Sequence, residues 1–209
     1  MSSAPILVTG FEPFGGESLN ASWEAVRLLP DRIAGRPVER MLLPVEFGHS
    51  GDLLCAAVER LAPAAVVMVG EAGGRAHLTV ETVALNLMRA RIPDNAGAAP
   101  QDEAIIAGGP DGCFATLAID ACVDAARAAG VPAERSASAG LYVCNQLMYR
   151  VLYALQGHHS LPAGFVHVPY LPQQVLERPG VPFCPAEVSA RGIEAICQET
   201  LSRQLASNA

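Results

Sequence analysis

The 209-residue chain has little positive charge. Lys plus Arg number 14 against 21 Asp plus Glu, a formal net charge of −7. A basic face able to neutralise phosphates is not indicated, so nucleic acid is not an expected partner. Long apolar runs are also missing. The longest, Ala64 to Val69, is the size of a core strand and far short of the ~20 residues a membrane span needs. Met1 to Val8 has no basic stretch and only a short apolar one, so it does not read as a secretory leader, and a reducing, cytoplasmic setting is expected. None of the six cysteines has C-x-x-C spacing, which argues against a zinc or dithiol motif, and disulfides are not expected. The glycine-rich turns lack the G-K-[ST] ending of a P-loop.

What is present is apolar material, 51% of the chain, enough for a sizeable core. The length suits one domain over residues 1–209, since single cores grow to roughly 250 residues. Continuous β-branched runs read as buried parallel strands at Pro5 to Thr9, Ala64 to Val69 and Gly164 to Val168. Val38 to Val45 is a weaker run, interrupted by Pro44, and Val83 to Leu87 is a further candidate. Helical periodicity predicts Ser22 to Leu29, Ser50 to Leu61 with Ser50 as its cap, Ile119 to Ala129, Asn145 to Leu155 and Ser189 to Leu205. This alternation argues for an α/β fold with a mostly parallel sheet covered on both faces. Ala90 to Gly112 reads as an irregular excursion or hairpin, and Pro172 to Pro185 as a mobile Pro-rich stretch.

Ligands of such sheets bind beyond the carboxyl ends of the strands. After the first strand, Phe11 and Phe14 sit in a glycine-rich turn, either as a pocket wall or as a cap on the core. After Val69, the Gly70 to Arg75 turn supports phosphate cradling only weakly, because Glu71 would repel an anion. Glu81 begins an apolar run, and alone it reads more readily as an exposed end residue than as a buried functional acid. Cys144 follows a small-residue turn and precedes a helix. There the helix dipole and free backbone N–H groups favour a thiolate and can form an oxyanion hole, although a merely buried cysteine fits as well. Of the histidines, His158 and His159 read as solvated in a polar loop, and His49 lies near a helix start. His167, at the end of an apolar strand, is either a core residue or the base that a thiol needs. With Glu81 orienting the imidazole, the set would be a Cys–His–carboxylate hydrolase.

Five ordered blocks carry a resemblance across nearly the whole chain: VTGFEPFGG followed by Asn20 and SWE, GGR with LTxExVAxN, ARIPDN, SxSAGxYVCN, and HVPYLP. Their pattern resembles the pyroglutamyl peptidase I family, peptidase family C15. The resemblance implies an open, twisted, three-layer α/β/α sandwich. It implies a cysteine peptidase in which Cys144 attacks the carbonyl after an N-terminal pyroglutamyl ring, His167 is general base and then acid, and Glu81 holds His167. Arg91 would orient near the oxyanion. The ring would lie among Phe11, Phe14, Ile92, Tyr142 and Val143, with polar contacts near Glu71 and Asn20. No metal or other cofactor is implied. Substrates would be peptides or proteins with N-terminal pyroglutamate, and the enzyme would be a homo-dimer or homo-tetramer. The chain departs from the family pattern at Glu71 (usually Gln), Ala21 (usually Pro), Thr82 (usually basic), Arg135 (usually apolar) and Leu87 to Arg89 (usually more acidic). Main-chain contact at position 71 would leave activity intact, whereas a required amide donor would weaken binding. Two alternatives follow: a related amidohydrolase with altered N-terminal specificity, or a non-catalytic α/β protein that binds a small molecule.

Overall fold

The computed structural model describes residues 4–156 and 161–207; His158 and His159 lie outside the described residues. In chain order the elements are β1 Ile6–Phe11, α1 Ala21–Val26, β2 Arg32–Ile33, β3 Arg36–Leu43, α2 His49–Leu61, β4 Ala65–Glu71, β5 Leu78–Glu81, β6 Val83–Leu85, β7 Met88–Arg89, β8 Gln101–Glu103, β9 Gly112–Phe114, α3 Ile119–Ala128, β10 Ala133–Ser136, α4 Val143–Ala154, β11 Ala163–Val168, a 3-10 turn Pro172–Val175, and α5 Ala186–Ser207.

Seven strands form one open sheet in the order β10-β5-β11-β4-β1-β3-β2. The inner strands β1, β4 and β11 pair in parallel and are buried along their whole length, as their continuous apolar runs require. Two apolar layers flank the sheet. Val67, Val69, Val80 and Val166 face α1, α3 and α5, and Leu7, Met68 and Phe165 face α2 and α4. The α/β/α arrangement is thus as expected, with two antiparallel pairings in the sheet: the short edge strand β2 against β3, and β5 against β11. Neither β5 nor β10 is signalled by the sequence. β5 has only four residues, and β10 is an edge strand of mixed polarity, Ala-Glu-Arg-Ser.

Several boundaries shift for local reasons. β3 ends at Leu43, before Pro44, which has no N–H to add to a ladder. α2 starts at His49 behind Gly48 with no side-chain cap, and the Ser50 hydroxyl donates to Glu46 O instead. α1 is capped by Asn20 and is shorter than predicted. The 90–112 excursion lies inside a pair of nested hairpins, β6 with β9 and β7 with β8, so the candidate strand Val83 to Leu87 is a short hairpin strand and not a buried parallel one. The Pro-rich stretch opens with the 3-10 turn and comes back to Tyr170 through a bridge to Phe183.

Gly192, inside α5, is where helix propensity and packing disagree. A Cβ there would meet Leu78 Cδ2 at 2.6 Å and Val131 Cγ1 at 3.0 Å. Both neighbours are 1% exposed and have no room to retreat. Gly192→Ala should gain about 0.5–1 kcal/mol of helix propensity but lose about 1–3 kcal/mol to overpacking. The expected net result is a lower denaturation midpoint, and a rise would show that α5 can move off the sheet.

Candidate active site

Gly70 and His167 oppose each other in the β4–β11 ladder, so their side-chain positions share a sheet face. Phe165, two residues before His167, lies on the same face, the two ring centroids 4.7 Å apart. The space above Gly70 is taken by its neighbours. A Cβ at this position would stand 2.7 Å from the Phe165 ring and 3.0 Å from the Cys144 sulfur. Glycine is therefore demanded by close approach, and the approach brings Cys144 over the strand that pairs with His167.

Cys144 is the second residue of α4, after the cap Tyr142. The first N–H groups of the helix have no intrahelical acceptor and point out of its end. Asn145 anchors this turn. Its buried amide donates to Leu85 O and Leu87 O and accepts the Leu85 N–H, each at 2.9 Å. The sequence marks Asn145 only as part of the VCN block; the structure gives it a role in fixing the turn that carries Cys144.

Glu81 arrives from the other side of β11. Thr79 opposes His167 and Glu81 opposes Phe165, which sets Glu81 diagonally across from His167. Glu81 Oε1 lies 2.8 Å from His167 Nδ1. Glu81 has no exposed surface and His167 is 3% exposed. The reading of Glu81 as an exposed strand end is thus corrected, because β5 is enclosed between β11 and β10. Arg75, which the sequence reading passed over, donates from Nη1 to Glu81 Oε1 at 2.6 Å, contacts Thr79 Oγ1, and donates from Nη2 to Ser138 O at 3.1 Å. With that guanidinium bound to a carboxylate, Gly70 to Arg75 is no phosphate cradle. His49 and His77 lie elsewhere, half-exposed beside Glu46 and Glu134.

Burial and the charges of Glu81 and Glu71 push the Cys144 thiol up to about 12, against the pull of Arg75 and the backbone N–H. Desolvation here acts against the thiolate that the first turn of the helix favours. Burial also lowers His167, although hydrogen bonding and charge from Glu81 oppose it. Burial acts to raise Glu81, but hydrogen bonds from His167 and Ser136 and the charges of His167 and Arg75 together hold it below the usual carboxylate range. Burial thus disfavours the charged forms of the thiol and the imidazole, while the partners of Glu81 favour its ionised form.

A cavity of about 720 Å³ opens over this group at the carboxyl ends of β1, β4 and β11, and Cys144 and His167 line it. Phe11, Phe14, Tyr142 and Val143 also line it, and Ile92 and Arg91 form an exposed lip. Both readings of the phenylalanines hold in part. Phe11 is 2% exposed and belongs to the core, while Phe14 lies 6.1 Å from the Tyr142 ring. Tyr142 is held by an edge contact to Phe47 at 5.2 Å and by its hydroxyl, which donates to Pro93 O. Opposite, Arg178 stacks 5.4 Å over Tyr170 and pairs with Glu17, a clasp on the rim that the sequence did not signal.

Asn20 lines the cavity, but its side chain is largely committed to the β1–α1 turn. It donates to Glu12 O and accepts from Ser22 N and Ser22 Oγ. Glu71 lines the cavity too, and its Oε2 accepts the Ala21 N–H at 2.7 Å. Two departures from the family pattern thus meet in one hydrogen bond: alanine supplies an N–H that proline lacks, and the carboxylate accepts it. Burial raises the Glu71 carboxyl, while the bonds from Ala21 and Gln174 hold it down. Of the other departures, Arg135 pairs with Asp120 on the surface, and Arg89 pairs with Asp102 on the nested hairpin. Nothing in the structure explains Thr82.

The Ala21–Glu71 bond yields a double-mutant test. Proline suits the first position of a helix, so Ala21→Pro removes the N–H with little strain and should cost about 1–3 kcal/mol by leaving a buried carboxylate oxygen unmet. In the Glu71→Gln background the cost should shrink, a coupling above about 0.5 kcal/mol in denaturant titrations. Strict additivity would show that the two departures are independent.

The geometry has close counterparts among known proteins. The family model described as pyroglutamyl peptidase, peptidase C15, matches residues 4–204. The pyrrolidone-carboxylate peptidase of Escherichia fergusonii is 48% identical over 191 residues, 90% of this chain and 89% of that protein. That of Thermococcus onnurineus is 47% identical over 198 residues, 94% of this chain and 98% of its own length. The crystal structure of Bacillus amyloliquefaciens pyroglutamyl peptidase I superposes with a TM-score of 0.91 at 36% identity, covering 97% of this chain and 98% of that one. By the family model that spans residues 4–204, by its identity to these relatives and by its overall structural match, this chain belongs to the pyroglutamyl peptidase family, peptidase C15.

Proposed function

We infer that the chain is a cysteine peptidase of the pyroglutamyl-peptidase I type, which removes an N-terminal pyroglutamyl residue as 5-oxoproline. Its membership of the family supports the activity. The observation that carries the residue assignment is the buried Glu81–His167 contact of 2.8 Å, set in a cavity where Cys144 opens a helix.

In this reading Cys144 Sγ attacks the carbonyl carbon that follows the lactam ring, and His167 takes the thiol proton as the C–S bond forms. The thiol starts protonated, so the imidazole acts as a general base during attack and not as the partner of a standing thiolate. The oxyanion forms at the first N–H groups of α4, and Arg91 orients near it. His167 returns the proton to the departing amine as the C–N bond breaks. Water then attacks the thioester carbon as His167 takes the water's proton, and as the C–S bond breaks His167 returns that proton to the sulfur, releasing 5-oxoproline and the thiol. Glu81 holds His167 by Nδ1 throughout and stabilises the imidazolium that forms transiently.

The flat, neutral lactam suits the wall of Phe11, Phe14, Ile92, Tyr142 and Val143, with Glu71 and Asn20 as polar contacts. The cavity exceeds the ring, which leaves room for the residues that follow it in a peptide. We take residues 1–209 as one domain working in the cytoplasm as a homo-dimer or homo-tetramer. Among the described residues no helix is long and apolar enough to cross a membrane.

Cys144→Ala and His167→Ala should each abolish release of the chromogenic amine from a pyroglutamyl anilide; full activity in either would refute the assignment. The pH profile is a second test. His167 must be neutral to accept the thiol proton, and burial lowers its pKa. The acid limb of kcat/KM should therefore fall below the ordinary imidazole value of about 6.5. Inactivation by iodoacetamide should be slowed by 2-pyrrolidone and should keep rising beyond about pH 9, since the thiol lies far above its usual range. A rate that levels off near neutral pH would show a resident thiolate instead.

A further inference from the structure

We propose that Arg75 is a positioning residue for this reaction: its guanidinium keeps the Glu81 carboxylate ionised against His167 and ties it to the loop that delivers Cys144. The proposal rests on the assignment of Cys144, His167 and Glu81 above.

Three contacts carry it. Nη1 donates to Glu81 Oε1 at 2.6 Å, the same oxygen that meets His167 Nδ1. Nη1 also contacts the hydroxyl of Thr79, the residue opposite His167 in the ladder. Nη2 donates at 3.1 Å to Ser138 O, in the loop between β10 and α4. One planar group thus joins the turn after β4, the end of β5 and the approach to the nucleophile. Arg75 is itself set by a tight turn in which its N–H donates to Ala72 O beside Gly74, a glycine at φ 87°. Arg75 also lines the cavity, and three of its five N–H donors are given to Glu81, Thr79 and Ser138, which fixes the plane of the guanidinium. A lysine would supply the charge without the fork, and a single ammonium cannot span acceptors on separate elements as a guanidinium does.

The electrostatic consequence can be followed with its sign. The groups that face the Glu81–His167 pair are Arg75 from the turn after β4, Ser136 from β10 and Cys144 from α4. Glu71, at the end of β4, acts on Cys144. Arg75 opposes protonation of both Glu81 and His167. Because the two are coupled, an added proton belongs to the pair and not to either residue. Without the cation, the pair keeps that proton to higher pH whichever residue carries it, and His167 cannot then take the proton from Cys144.

The test is the pH dependence of kcat and kcat/KM on a pyroglutamyl anilide for the wild type, Arg75→Met and Arg75→Lys. Arg75→Met should lower kcat by about 10-fold to 100-fold and move the acid limb of kcat/KM to higher pH. Arg75→Lys should keep the acid limb near its wild-type place and still lower kcat, because the tie to Ser138 is lost. Near-ultraviolet circular dichroism checks that the variants fold; if Arg75→Met does not, Arg75→Gln, which retains donors without charge, takes its place. An uncharged variant whose acid limb coincides with the wild type overturns the role of Arg75, as does a lysine variant that shifts as far as methionine. A wild type inactive on the anilide would overturn the peptidase reading and this one with it, whereas an active wild type with an unmoved limb overturns the role of Arg75 alone.

Discussion

A carboxylate with no surface in water must be held ionised by its neighbours, and much of this site follows from that constraint at Glu81. Desolvating an isolated ion costs several kcal/mol, and removing one partner of a buried pair costs about 3–5 kcal/mol. Glu81 meets the constraint with His167 on one flank and Arg75 on the other, both on Oε1. The arrangement is asymmetric. His167 is buried and can change charge, while Arg75 is permanently cationic and partly open to solvent. The fixed charge balances the carboxylate, which in the proposed mechanism leaves the imidazole free to accept the thiol proton.

The sheet makes this possible through one unusual pairing. A wholly parallel sheet would have run β5 in the same sense as β11. Antiparallel pairing puts Thr79 beside His167 and Glu81 on the diagonal, on the face where Cys144 approaches. The same face has to be thin at Gly70, because Phe165 and the sulfur fill the volume that a side chain would occupy. Packing and chemistry are therefore one problem at this point. The close packing around the sulfur also pushes the thiol up.

Glu71 extends the same logic to the cavity wall. A carboxylate there is tolerable because Ala21 has an N–H to give and Gln174 adds a second bond. Its charge also reaches the Cys144 sulfur. Burial contributes most to the upward push on the thiol, and the two carboxylates add to it against the pull of Arg75.

The alternation of apolar runs was enough to read an α/β sheet with buried central strands, because parallel strands covered on both faces must be apolar throughout. Cys144 and His167 were legible for a local reason: one follows a small-residue turn at a helix start, the other closes an apolar strand, and both positions have a structural meaning within a few residues. Glu81 read locally as exposed, and Arg75 and Asn145 were visible only as letters in motifs. Helix position can be read from sequence, but the desolvation that opposes a thiolate at Cys144 cannot. The sequence by itself determined the sheet and its strong strands and put forward Cys144 and His167 as candidates, since each is encoded in contiguous residues. Tertiary structure alone decided which carboxylate is buried, which cation keeps it charged, and that Ala21 answers Glu71 across 50 residues. These depend on strand direction and register between distant segments, and no local pattern carries that information.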